Sequence, residues 1–165
     1  MTITGTNDTP DISVQSGDAS TASLTESNSG LAASGTLTVR DVDLSDTVTV
    51  AKSSVSAALS STGPVVLYAG RESALLSMLT LSDYSANAAQ PGSAHNLGWN
   101  FNSASEAFNF LADGETLTLT YTLTGTDSSS ATGGKTDTQT VVITITGTND
   151  APVIVTGAET QTQGS

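Results

Sequence analysis

From Thr116 to Thr124 the chain alternates without a break. Thr116, Thr118, Thr120, Thr122 and Thr124 fall on one side, and Leu117, Leu119, Tyr121 and Leu123 on the other. A period of two belongs to a β-strand with one dry face and one wet face. Val141, Ile143 and Ile145, set between Thr140, Thr144 and Thr146, repeat the pattern. Asp127 to Gly134 lies between the two runs as a loop rich in Ser and Gly, so they predict a hairpin. Threonine is a good strand former on a solvated face, which accounts for the outward rows. Regular threonines on a flat sheet also suit ice or a carbohydrate.

The second run ends in a phrase that also opens the chain. Thr144-Ile145-Thr146-Gly147-Thr148-Asn149-Asp150 matches Thr2-Ile3-Thr4-Gly5-Thr6-Asn7-Asp8 residue for residue, with Pro152 and Pro10 two places beyond. Self-similarity at a fixed period marks an array. The division that follows is residues 1–10 as the end of a preceding repeat and its linker, 11–150 as one repeat, and 151–165 as the linker into the next.

The remaining segments fit a one-core domain. Asp11 to Val14 is a short strand, Ser16-Gly17-Asp18 a bulge or crossing, and Ala22 to Glu26 its continuation. Asn28-Ser29-Gly30 is a turn. Gly35 to Arg40 is a strand with Leu37 and Val39 inward, Asp41 to Asp46 a loop, and Thr47 to Val50 a further strand. Residues 53–96 are the least patterned. Gly63-Pro64 marks a turn, Val65 to Tyr68 a short strand, Glu72 to Leu79 a short helix, and Ala86 to Asn96 a loop whose His95 is an ordinary loop residue. Leu97 to Asn102 alternates with Trp99 and Phe101 inward. Ser103 and Glu106 have the spacing of a capping box, predicting a short helix with Ala104, Phe108 and Leu111 buried. The expected fold is an all-β, antiparallel Greek-key sandwich of about seven strands with one or two short helices.

Strand directions sort the acids. If the chain enters at the top, Asp8, Asp41, Asp43 and Asp127 gather there. Glu26, Asp113, Glu115, Asn149 and Asp150 gather at the bottom, where the next repeat begins. Taken singly, each is an ordinary solvated loop acid. As two sets, crowded carboxylates repel one another and offer hard oxygen donors suited to Ca²⁺.

With 16 acids, 4 bases and a net charge of −12, the chain has no basic patch to meet nucleic acid. It has no cysteine for disulfides or thiolate metal sites. No apolar run is long enough to span a membrane, and residues 1–20 do not read as a signal peptide. Catalysis lacks a constellation. His95 has no nucleophile elbow, and Asp113 with Glu115 has no cleft. Asp41 to Asp46 opens like an EF-hand loop, but the sixth place is Asp46 and the twelfth Lys52.

Leu24-Thr25-Glu26-Ser27-Asn28, Gly35 to Val39 and Asp41-Val42-Asp43 together resemble the first half of a cadherin repeat. Asp113-Gly114-Glu115 stands where that family has Asp-Arg-Glu, and Asn149-Asp150-Ala151-Pro152 is similar to its linker. Thr146 occupies the linker place that a cadherin fills with Asp. The span from Leu24 to Pro152 more closely resembles a VCBS-type repeat of RTX-type bacterial surface adhesins exported by type I secretion. The resemblance implies an extracellular, monomeric, non-enzymatic spacer on the bacterial cell surface, whose partners are neighbouring repeats of its own chain. It implies Ca²⁺ at the junctions, held by Glu26, Asp113, Glu115, Asn149 and Asp150 below and by Asn7, Asp8, Asp41, Asp43 and Asp127 above. The alternative within the same kind of protein is a ligand-binding adhesive module.

Overall fold

The computed structural model describes residues 1–66, 69–82, 90–129 and 134–151. Among them are nine strands and one helix. The strands are β1 (Asp11–Ser13), β2 (Thr21–Thr25), β3 (Ala32–Arg40), β4 (Val48–Leu59), β5 (Gly63–Val65), β6 (Leu79–Ser82), β7 (Leu97–Asn102), β8 (Thr116–Asp127) and β9 (Thr136–Thr146), and the helix is α1 (Ala69–Met78). They form two sheets, ordered β1-β3-β7-β6 and β2-β9-β8-β4-β5.

The core lies between the sheets and comes from the alternating positions. Leu119, Tyr121 and Leu123 of β8, Val141, Ile143 and Ile145 of β9, Leu37 and Val39 of β3, and Phe101 of β7 are wholly buried. Tyr121 meets Phe101 edge to face at 6.4 Å and donates its hydroxyl to the Leu75 carbonyl at 3.0 Å. Burial pushes the Tyr121 phenol well above its ordinary pKa. Trp99 of β7 is buried, and its indole N–H donates to the Ala19 carbonyl at 2.7 Å. Gly35 makes room for that ring, since a Cβ there would lie 2.6 Å from it.

The entering strand changes sheets at Ser16-Gly17-Asp18, so these residues are a crossing. β1 pairs antiparallel with β3, whereas β2 joins the other sheet beside β9. β2 and β9 run toward the same end, so this pair is parallel in an otherwise antiparallel fold. Asp18 secures the crossing. Its carboxylate accepts from the Thr36 and Thr38 hydroxyls at 2.7 Å, from the Gln15 backbone N–H at 3.0 Å, and pairs with His95 Nδ1 at 2.6 Å. Burial pushes the Asp18 carboxyl up, but these four partners outweigh it and hold the pKa at about 2. His95 is therefore a hydrogen-bond partner of the Asp18 carboxylate and more than an ordinary loop residue.

Several local expectations are corrected. Residues 48–59 form one long strand, β4, with a bulge between Lys52 and Ser54. The bulge shifts the inward phase from Val48, Val50 and Lys52 to Val55, Ala57 and Leu59, which hid the alternation. Lys52 turned inward is satisfied because its ammonium donates to the Leu76 carbonyl in the last turn of α1 and to the Leu79 carbonyl just beyond it. Leu79 begins β6 and is not helical. The strand expected at Val65 to Tyr68 lies at Gly63–Val65, and Leu67 and Tyr68 fall outside the described residues.

The helix expected after Ser103 does not form. Ser103 Oγ donates to the Glu106 carbonyl at 2.5 Å and accepts from the Leu31 N–H at 2.8 Å, while Glu106 caps the Phe108 N–H at 3.0 Å. Ala104 and Phe108 take positive φ of 53° and 61°, which no helix accommodates. Phe108 and Leu111 are buried as expected, but Ala104 is exposed. Residues 86–89 and 130–133 of the expected loops and 152–165 of the expected linker lie outside the described residues.

Candidate functional site

Acidic residues collect at both ends of the sandwich. At the upper end the chain enters beside the tip of β8. Asn7 Nδ2 donates to Asp127 Oδ2 at 2.9 Å, and the Asp8 N–H donates to Asp43 Oδ2 at 2.6 Å. Asp43 in turn donates its N–H to Asp41 Oδ1 at 2.9 Å, a turn that folds the Asp41 to Asp46 loop over the end of β3. Residues separated by about 120 positions thus meet because β3 and β8 end here and β4 begins here.

The electrostatics of this set are uneven. Asp41 is 2% exposed, and burial followed by the charges of Asp43, Asp127 and Asp46 raises its pKa against the Asp43 N–H bond. Asp127 is also buried, but hydrogen bonds from Asn7, Ser129 and Lys135, with the Lys135 charge, hold its pKa below the ordinary value. Lys135 was not among the residues picked out from sequence. Its ammonium donates to the Asn7 carbonyl at 2.6 Å and its N–H to Asp127 Oδ1 at 3.0 Å. No local sequence signal marked it: the hairpin register, with Thr126 paired to Thr136, sets Lys135 beside Asp127. A groove of about 610 Å³ opens between Gly5, Thr6 and Asn7 on one side and Asp43, Ser45 and Asp46 on the other.

At the lower end, β9 leaves through Gly147 and Thr148 between two glutamates. Glu26 is 3% exposed, and its Oε2 accepts the Thr148 N–H at 3.1 Å. The Glu115 carbonyl accepts the Gly147 N–H at 2.8 Å. Its carboxylate takes the Ala112 N–H at 3.1 Å and the Ser61 hydroxyl, and these bonds lower its pKa. Asp113 is exposed on the same turn, whose Gly114 N–H donates to the Gly147 carbonyl at 3.1 Å. Asn149 and Asp150 are exposed beyond the last strand.

Among the described residues, three buried side-chain oxygens have no hydrogen-bond partner: Asn7 Oδ1, Asp41 Oδ2 and Glu26 Oε1. All three belong to the two polar sets. Among the described residues, no group of three or more His, Cys, Asp or Glu side chains stands arranged to hold a metal ion. Each end therefore holds at least one buried oxygen without a partner, Asn7 Oδ1 and Asp41 Oδ2 at the upper end and Glu26 Oε1 at the lower.

No protein-family model matches the chain, and no curated protein sequence matches it. Among solved structures, it is similar to AggA, the major subunit of aggregative adherence fimbriae type I from Escherichia coli. The TM-score is 0.42 at 12% identity, covering 88% of this chain and 98% of that one. Among the described residues no helix is long and apolar enough to cross a membrane.

Proposed function

We propose that this chain is a calcium-stiffened extender repeat of a bacterial cell-surface adhesin, one unit of a tandem array that holds a distal adhesive domain away from the cell. The observation that carries the reading is the set of unpartnered buried oxygens on Asn7, Asp41 and Glu26. A buried carboxylate oxygen without a partner costs free energy, and native folds rarely leave one. A hard divalent cation would satisfy these atoms and relieve the repulsion around Asp41. Glu26, Asp113, Glu115, Asn149 and Asp150 would serve one junction, and Asn7, Asp8, Asp41, Asp43 and Asp127 the other. The repeated seven-residue phrase supports the array, since each copy links one polar set to the next.

An isolated unit holds half of each junction. Its affinity should then lie in the roughly 10⁻⁴–10⁻³ M range of extracellular modules. About 10 mM calcium would add about 1.4–2.7 kcal/mol and raise Tm by about 3–10 °C. Two units joined through the shared phrase should bind more tightly and lengthen with calcium. Small-angle scattering with calcium and with chelator tests this. Superimposable profiles, with no calcium effect on Tm, would remove calcium from the function.

A further inference from the structure

Gly5 and Gly147 hold the same place in the repeated phrase but differ in their surroundings. At Gly147 a Cβ would lie 2.3 Å from the Ala112 carbonyl oxygen and 2.7 Å from Leu111 Cβ, whereas at Gly5 nothing lies within 4 Å. The flanking isoleucines differ likewise, with Ile145 wholly buried and Ile3 81% exposed. The open side of Gly5 forms one wall of the groove that Asp43, Ser45 and Asp46 close opposite.

We infer that this groove is the seat of the Leu111–Ala112 turn of the preceding unit, so that successive units interlock by shape as well as through their acids. The inference rests on the tandem reading above. If the phrase is held by the preceding unit as Thr144 to Thr148 are held here, Ile3 enters that unit's core. The Thr6 N–H then meets its Glu26, and Gly5 lies under its Leu111–Ala112 turn. The following residues, Asn7 and Asp8, are bound to this unit's own Asp127 and Asp43. Only about 3.3 Å of extended chain separates one residue from the next. The preceding unit's turn is thereby brought within one or two residues of the Asp43 to Asp46 loop, which is where the groove stands open. A side chain on Gly5 would exclude the turn, which gives the glycine its purpose at both ends.

The test uses two copies sharing one phrase, residues 1–150 followed by 9–165. Because the chain has no cysteine, introduced thiols are unambiguous. Ala112→Cys in the first copy is paired with Ser45→Cys in the second, and in a control with Ser53→Cys on the middle of β4. All three positions are exposed, and far-UV circular dichroism checks that each variant folds. A short bifunctional thiol reagent should link 112 to 45 at least about tenfold faster than 112 to 53, given the high effective concentration of seated groups. Preferential linking in either calcium or chelator supports the seat. Equal rates for the two pairs in both solutions overturn it, whatever calcium does to Tm or to the scattering profile, so the two ideas fail separately.

Discussion

Asn7 donates its side-chain amide to Asp127 at 2.9 Å, fastening the entering chain to the far tip of the β8–β9 hairpin. The bond leaves Asn7 Oδ1 buried and, among the described residues, unpartnered, as Asp41 Oδ2 at the same end also is. The upper end is thus tied together by backbone and amide donors while its carboxylates remain in excess. That imbalance sets the first expectation.

Asp41→Asn should raise Tm in chelator at neutral pH, by about 2–4 °C if the relief is about 1 kcal/mol. The folded-state pKa of Asp41 is raised above its unfolded value of 3.8, so its ionised form costs stability above that raised value. The gain should vanish below about pH 4, where the carboxyl is protonated in both states. Calorimetry across this pH range checks the sign, and a loss of Tm at pH 7 would contradict it.

Asp18 behaves in the opposite sense. Its folded pKa is about 2 against 3.8, so its contribution is fully present above about pH 4 and is lost as pH falls through about 2. The side chain is wholly shielded, and the shift corresponds to about 2 kcal/mol. Asp18→Asn should lower Tm at neutral pH by about 4–8 °C. The difference from the parent should shrink on acidification, which a pH series of melting curves reads directly.

Glu26→Gln keeps an oxygen for the Thr148 N–H and removes the charge. In chelator its stability should stay within about 1 kcal/mol of the parent, as expected when a hydrogen bond survives a change of charge. Its calcium-dependent rise in Tm should fall. An undiminished calcium response would take Glu26 out of the junction.

Gly35→Ala should cost about 1–3 kcal/mol, the usual range for overpacking a core. The new methyl would meet the Trp99 ring at 2.6 Å and the Ala19 carbonyl at 2.8 Å. The near-ultraviolet circular dichroism of Trp99, the single tryptophan, should weaken along with Tm. A variant as stable as the parent would show that the ring shifts freely.

The placement of the acids at the two ends was legible because strand direction alone decides which loops share an end. Alternation in β3, β7, β8 and β9 placed Asp41, Asp43 and Asp127 at one end and Glu26, Asp113 and Glu115 at the other. Lys135 was not legible, since its place beside Asp127 depends on hairpin register and not on any local pattern. Ser103 and Glu106 misled because a capping box is a local signal. The same two side chains instead hold a turn that buries Phe108 and Leu111 and bonds Ser103 to Leu31, 72 residues away.

By itself the sequence determined the class of fold, because unbroken period-two patterning with Leu, Ile, Val and Trp on one side can bury its apolar face only between sheets. It also determined that the chain repeats itself at its ends. Only the tertiary structure decided where the pattern changes phase at the Lys52 bulge, that β2 lies parallel to β9, and that Asp18 fastens the crossing. Those features depend on contacts between residues far apart in the chain, whose mutual distance no local period encodes. The burial that separates Gly147 from Gly5 is of the same kind. Seven identical residues have the same local preferences, and only the body packed against one of the two copies makes them different.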